Sequence, residues 1–508
     1  MSIERRRLFY LILFCLLIAA GLAAYAVTFA FAWDEGFHVL TAELISEGKR
    51  PYIDFCFPQT PLNAYWNALW ILIFGASWKA IHVVAAMGAA VATLLASDFV
   101  LRRFRIPEWR FPAALTVACL VGTNVAVIQF GTIGQAYGLC LFLIVLAFRL
   151  VVEAVDRGWF FAALSGLAAG TAAASSLLTA PVAPVSLLWI LFYNRAGGRW
   201  SKFAAFVVGA AIPFIPVAML FAAGPKQTWF NIIQYHLLYR KVEWEGAIAH
   251  DAGVLTDWIV TPQALILIFL SLAWLIYGRQ TEERPRRAEM YLCLWLAVTE
   301  ALHISNAHPT FQRYYLFTVP FLAIPAVAGL YQVAVRLNPA TRPVLPTLLV
   351  AVLVVLNGGK TVWENREDFS WKDFDGLARK VDEVTPRNAM VLGDEHIYFL
   401  TRRPVPSGME LADSHKLSLS PQLMSLYHLI SRAELSKKIK AGAFATVETC
   451  DDDTVTKEGL PDLYSQKSEM DNCTVFWGWK PGGKGSPPGG SSSPAAQTPT
   501  TTHPPPTR

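Results

Sequence analysis

Apolar runs recur along this chain, each close to the ~20 residues an α-helix needs to cross a bilayer. They fall at about 8–32, 79–101, 112–130, 135–152, 159–175, 177–193, 203–223, 259–277, 289–305, 314–332 and 343–358. Lipid offers a peptide group no hydrogen-bond partner, so such runs read as helices. Charged residues make up 16% of the chain and hydrophobic residues 54%, where soluble domains carry about 25% charge. That excludes a soluble chain of one or two ordinary domains, and equally a disordered or nucleic-acid-binding one. The first run follows Arg5-Arg6-Arg7 and is too long for a signal-peptide core. Bulky Phe29, Phe31 and Trp33 stand where a cleavage site would need small residues, so an uncleaved first helix is expected.

The net charge is +5, and its placement says more than its size. With eleven spans, one set of ends gathers Arg5 to Arg7, Arg102, Arg103, Arg105, Arg110, Arg149, Arg157, Arg195, Arg199, Lys202, Arg279, Arg284, Arg286, Arg287, Arg336 and Arg342. The opposite loops hold Lys49, Arg50, Lys79, Lys226, Arg240, Lys241 and Arg313. The positive-inside rule puts the first set, and the N-terminus, in the cytoplasm. Three outer segments are then long: 33–78, 224–258 and everything after about 359. A fourth, 306–313, is short but charged.

The first outer loop opens with Trp33-Asp34-Glu35-Gly36-Phe37-His38 directly after the first span. Phe37, Leu40, Leu44 and Ile45 recur at helical spacing and Gly48 suits a C-cap, so an amphipathic helix on the membrane surface is expected. Asp34 and His38 are four apart and share a face. Two readings of the acidic pair stand side by side: Asp34 and Glu35 cap the helix, or a carboxylate at the membrane surface serves as general base or metal ligand. The loop continues through Gly48-Lys49-Arg50-Pro51-Tyr52, Asp54 and Pro58-Gln59-Thr60-Pro61 into a stretch with Tyr65, Trp66 and Trp70.

This order resembles the first loop of GT-C membrane glycosyltransferases, nearest to the dolichyl-phosphate-mannose-protein mannosyltransferase and lipid A aminoarabinose transferase group with its bacterial lipopolysaccharide-modifying relatives. The resemblance covers roughly residues 8–335. It implies an integral-membrane glycosyltransferase that moves a sugar from a polyprenyl-phosphate donor to a lipid, glycan or protein acceptor on the outer face, with inversion. The acidic residue after the first span is the implied catalytic carboxylate, which is Asp34, with Glu35 beside it. An Arg followed by Tyr, an aliphatic residue and Pro also belongs to the family's lipid-phosphate site, which implicates Arg313 and Tyr314 here. Relatives often carry a Lys after a Gly-rich pattern, where this chain has Gly166, Gly170 and then Ser175-Ser176. Arg240 and Lys241 read either as snorkelling anchors or as a phosphate clamp. His38, Tyr52, Gln59, His236 and His308 complete the expected substrate-binding set. No cofactor is expected to be required; a divalent metal on Asp34 and His38 stays open. The competing class is a transporter or flippase of a lipid-linked sugar. It would favour mid-membrane charge pairs and related halves, and the sequence shows neither.

The expected architecture is thus an α-helical polytopic membrane protein of about eleven transmembrane helices, GT-C type, spanning 1–360, with a small C-terminal α/β extracytoplasmic domain over 361–480. A Pro/Gly/Ser/Thr-rich disordered tail is expected over 481–508. Helices alternating with short apolar strands in 361–480 suggest a mainly parallel sheet. Cys450 and Cys473 would lie in an oxidising compartment, where a disulfide is reasonable. Cys15, Cys119, Cys140 and Cys293 sit in apolar runs and read as small core residues. His82, Gln135 with Tyr137, and Glu300 are polar positions inside or at the ends of spans.

Overall fold

The computed structural model describes residues 3–193, 197–243, 248–470 and 472–480, without the side chains of 240–243. The 481–508 segment lies outside the described residues. Six helices there are long and apolar enough to cross a membrane: Ile3–Ala26, Trp78–Arg103, Tyr137–Arg157, Arg199–Ala223, Gln312–Leu337 and the one starting at Val344. A seventh candidate is a pair, Ile248–Ile259 and Pro262–Gly278, bent by 76°. Shorter apolar helices, including Leu62–Phe74, Arg110–Gly122 and Trp159–Ser175, fill the space between them. Leu16, Leu17, Phe192, Met219, Leu345 and Leu356 are exposed. An aqueous surface does not tolerate such a continuous apolar face, so the chain is a multi-pass membrane protein.

Expected run 112–130 is two helices, Arg110–Gly122 and Val125–Phe130, because Asn124 caps the second through its side chain. The Ser175-Ser176 turn is as tight as expected: the helix stops at Ser175 and a 3-10 turn over Leu177–Thr179 follows. A Cβ on Gly166, Gly170 or Gly209 would strike backbone of the facing helix at 2.0–2.3 Å. These glycines let helices Trp159–Ser175 and Arg199–Ala211 pack backbone to backbone.

The C-terminal unit has four strands: β1 (Val391–Leu392), β2 (Thr446–Thr449), β3 (Tyr464–Met470) and β4 (Cys473–Trp479), in the order β1-β2-β4-β3. The sheet is not mainly parallel. β1 and β2 pair in parallel, but β4 runs antiparallel to both of its neighbours. Only two residues separate β3 from β4, and a parallel crossover needs a dozen or more. Asn472 takes the left-handed turn position at φ 63°. Cys450 and Cys473 form a disulfide.

Helix Gly36–Ser46 also departs from expectation. It is buried on nearly every face, not laid on the bilayer. It packs on Leu62–Phe74 and on Glu395–Thr401 of the C-terminal unit. Arg402 ion-pairs with Glu43 and bonds the Ala76 carbonyl, and His428 bonds the Ile53 carbonyl at 2.7 Å. The C-terminal unit therefore caps the first loop.

Candidate active site

Asp34 and Glu35 occupy a single 3-10 turn, Trp33–Glu35. At three residues per turn, neighbours point about 120° apart, so the two carboxylates cannot share a face. Glu35 turns inward and is fully buried. Its Oε1 accepts from His82 Nε2 at 2.6 Å and from the Gly134 N–H at 2.5 Å, and its Oε2 accepts from Trp371 Nε1 at 3.0 Å. The other His82 ring nitrogen faces the Ala26 carbonyl at 2.7 Å, so the ring meets an oxygen at both ends. Burial pushes the Glu35 carboxyl up. The charge of His82 and the three hydrogen bonds outweigh it and hold the carboxyl below its usual range. Glu35 thus ties together the end of the first span, helix Trp78–Arg103, the 131–136 loop and the C-terminal unit.

Asp34 turns outward. Its Oδ2 accepts from an Arg313 guanidinium N–H at 2.6 Å, across 279 residues of sequence. Its other oxygen, Oδ1, is enclosed and has no hydrogen-bond partner, and neither has Arg313 Nε. The guanidinium lies 4.6 Å from the Phe311 ring, 5.9 Å from Phe130 and 5.8 Å from Tyr314. The Tyr137 and Tyr314 rings stand 6.3 Å apart, and both hydroxyl oxygens accept from the guanidinium N–H groups. One carboxylate and one fork-shaped cation, each with an unspent atom, therefore face each other at the end of the spans.

The chain carrying Arg313 is itself braced. Asp251 bonds His308, and its Oδ1 accepts from the Thr310 N–H at 2.9 Å. Ser305 bonds the Tyr315 hydroxyl at 2.8 Å, and Tyr315 stacks on Trp258 at 4.6 Å. His308, expected to touch substrate, is thus engaged in holding the loop.

Comparison with protein families finds no match, and neither does comparison with curated proteins. Solved structures do match. ArnT from Cupriavidus metallidurans superposes with a TM-score of 0.64 in its apo state and 0.63 bound to undecaprenyl phosphate, at 14% identity over 92% of this chain and 97% of that one. Arabinofuranosyltransferase AftD from Mycobacteria matches at 0.54 and 12% identity, over 95% of this chain and 40% of that one. The apo oligosaccharyltransferase of Archaeoglobus fulgidus matches at 0.50 and 14% identity, over 77% and 64%. The chain has a GT-C fold.

Within this GT-C fold the remaining expected residues divide. Tyr52 is a core residue: it is fully buried, adopts φ 70°, and its hydroxyl donates to the Gln59 carbonyl at 2.5 Å. Its place in the substrate-binding set gives way to a role in shaping the loop. Gln59 is half-buried in that same turn. His236 is half-buried beside Tyr235, on a helix whose neighbours Phe230 and Tyr427 stack at 3.9 Å. The side chains of Arg240 and Lys241 lie outside the described residues. His38 is close to the centre: Asp34, Glu35 and Arg313 all act on it, its Nδ1 has no partner, and burial lowers its pKa to about 4. For a metal, Asp34 and His38 are two ligands without a third. Among the described residues, the one grouping of three ligand atoms is Glu448 with the disulfide sulfurs of Cys450 and Cys473.

Two residues escaped the sequence. His396, from the C-terminal unit, stacks on Phe374 at 4.2 Å, and both its ring nitrogens lack partners. A Cβ on Gly36 would lie 2.6 Å from its Nδ1, so Gly36 is what admits the ring beside Asp34 and Glu35. Trp371 stacks on Trp78 at 5.4 Å while bonding Glu35. Neither sits near Asp34 in sequence, and only the folded contact reveals them. Glu300 is fully buried with both carboxyl oxygens unpartnered, not paired with a neighbouring helix.

Proposed function

We propose that this chain is a membrane glycosyltransferase that moves a sugar from a polyprenyl-phosphate donor to an acceptor hydroxyl at the outer face of the membrane, inverting the anomeric centre. The observation that carries the reading is the Asp34–Arg313 pair at the mouth of a GT-C fold. The fold is shared with an ArnT structure that holds undecaprenyl phosphate, which supports a lipid phosphate as the group Arg313 meets. The Lys/Arg distribution supports a cytoplasmic N-terminus and an extracytoplasmic 361–480 unit. Any odd number of spans places the two on opposite sides.

In the reaction, the acceptor oxygen forms a bond to the anomeric carbon as the bond from that carbon to the phosphate oxygen breaks. The electron pair leaves with the polyprenyl phosphate, and the acceptor proton passes to Asp34. The phosphate is a good leaving group, so its departure needs charge stabilisation more than a proton. Arg313 supplies that charge in a partly enclosed site, where it counts for more than in water. Glu35 holds the turn that aims Asp34 and takes no part in bond changes, since both its oxygens are spent. His38 and the Tyr137 and Tyr314 hydroxyls border the place where the sugar would sit. No metal is assigned a step.

The test is sugar transfer from a polyprenyl-phosphate-linked donor by purified protein in lipid, comparing wild type with Asp34→Asn. Loss of transfer with retained folding supports the reading; wild-type transfer by Asp34→Asn overturns Asp34 as the base. Sugar identity and acceptor come from mass analysis of envelope glycans in a deletion strain.

A further inference from the structure

Asp34 and Arg313 have separate tasks in the reaction: one needs a free carboxylate, the other an open guanidinium. In the structure they engage each other at 2.6 Å. While they do, the Asp34 oxygen that would take the acceptor proton, Oδ2, is occupied by a guanidinium N–H. Arg313 likewise offers only part of its donor fork. The side chains are 43% and 18% exposed, so a ligand can reach the pair. Each member also keeps an unspent, enclosed atom, Asp34 Oδ1 and Arg313 Nε, which shows that the pair does not satisfy its own hydrogen-bonding capacity. The rings of Phe311, Phe130 and Tyr314 lie 4.6, 5.9 and 5.8 Å from the guanidinium.

Resting on the proposed transferase reading, we infer that the Asp34–Arg313 pair is a latch that donor phosphate opens. The phosphate captures the Arg313 guanidinium in a bidentate contact, and Asp34 Oδ2 is released to face the acceptor hydroxyl. No covalent bond changes in this step; one ion pair is exchanged for another. The consequence is an order of events. An acceptor arriving first meets a base that is engaged, and an acceptor arriving after the donor meets a free one. Proton abstraction is thereby confined to complexes in which a leaving group is already seated.

The latch makes a prediction that a plain catalytic base does not. Phosphate binding must first break the pair, so removing the carboxylate should improve it. With undecaprenyl phosphate as probe and protein in lipid nanodiscs, Asp34→Asn should bind about tenfold tighter than wild type, and Arg313→Gln more weakly. The decisive comparison is the double variant. Relief of mere repulsion between Asp34 and the phosphate would tighten binding equally in the Arg313→Gln background. Release of the latch leaves less than about a twofold effect there, because no pair remains to break. Equal tightening in both backgrounds, or none in either, overturns the latch. A structure of the wild-type protein with undecaprenyl phosphate covers the case of poorly folded variants: Arg313 must be on the phosphate and off Asp34, and an intact pair overturns the inference. Failure of the underlying reading looks different, since wild-type protein then binds no undecaprenyl phosphate or Asp34→Asn still transfers sugar.

Discussion

The two ends of the membrane bundle handle charge in opposite ways. Helix Trp78–Arg103 reaches both: His82 near its start bonds Glu35, and Asp98 lies 16 residues on, about 24 Å along the axis at 1.5 Å per residue. At the Asp98 end, opposite charges neutralise one another. Asp98 takes Arg102 at 2.7 Å and Arg149 at 3.1 Å, Glu153 takes Arg157 at 2.8 Å, and Arg103 reaches Glu153 at 3.5 Å and Glu289 at 3.3 Å. A cavity of about 410 Å³ there is lined by six of these charged residues. Around the Asp34 turn several polar atoms are left over: Asp34 Oδ1, Arg313 Nε, His38 Nδ1 and both His396 nitrogens lack partners. Buried polar atoms in folded proteins are nearly always paired. A satisfied cluster holds helices together, whereas an unsatisfied one marks where something else is meant to bind.

Matched substitutions of the two aspartates test this directly. Asp34→Asn is expected to lower transfer by two to four orders of magnitude, about the worth of a positioned general base. Asp98→Asn is expected to leave transfer within about twofold while costing about 1–3 kcal/mol of stability, because it strips Arg149 of its partner. Transfer rates and thermal unfolding of both variants decide it. If Asp98→Asn also stopped transfer, the contrast between the ends would collapse.

Glu35 separates holding from reacting within the Asp34 end itself. Glu35→Ala removes the acceptor for His82, the Gly134 N–H and Trp371 at once. Breaking a buried pair from one side costs about 3–5 kcal/mol, and thermal unfolding should report it. Glu35→Gln keeps an acceptor for some of these donors and should fold better while retaining part of the transfer activity. A Glu35→Gln protein that folds as wild type yet is as inactive as Asp34→Asn would return Glu35 to the chemistry.

The multi-pass helical character was legible in the sequence, because apolar run length is a local property of residues. Asp34 and Arg313 were singled out by the family pattern around each. Their direct contact was not, since no local rule joins residues 279 apart. Glu35 was read beside Asp34 because they adjoin, but a 3-10 turn sends neighbours in different directions. Tyr52 was read as a ligand because polar aromatics in loops often are, yet burial and the Gln59 carbonyl had already used it. The mixed sheet was misjudged because the short β3–β4 turn, which forbids a parallel crossover, was not weighed.

The C-terminal unit brings its own contrast, visible in pH. Burial lowers the His396 pKa from 6.5 to about 4 despite Glu35 and Asp34. The folded protein therefore binds fewer protons there than the unfolded chain, and that stability is complete above about 6.5 and lost as pH falls toward 4. Between pH 7 and pH 5 the loss is about 2 kcal/mol. His396→Leu should flatten this acid-side slope in thermal unfolding; an unchanged slope would mean that His396 is not held neutral. Glu395 behaves oppositely. Burial, then Asp394, raise its pKa from 4.5 to about 8. Its contribution is complete below about 4.5 and is lost as pH rises through 8, so Glu395→Gln should gain stability relative to wild type on the alkaline side.

The smallest effect tests whether burial or number governs the satisfied end. Arg102 and Arg149 share Asp98, at 2.7 and 3.1 Å. By distance Arg102 has the better bond. Its side chain, however, is 59% exposed against 15% for Arg149. Water screens an exposed pair and competes for both partners, so such pairs are worth about 0–1 kcal/mol. Arg102→Gln should therefore cost less than about 1 kcal/mol, and Arg149→Gln clearly more, because it leaves Asp98 without its enclosed partner. Neither should change transfer, since Asp98, which both contact, lies about 24 Å along its helix from His82. Equal costs for the two would show that the network acts as a count of bridges. The unequal costs expected here would show that only its enclosed half holds the helices, which is the property the Asp34–Arg313 pair gives up to remain open to a ligand.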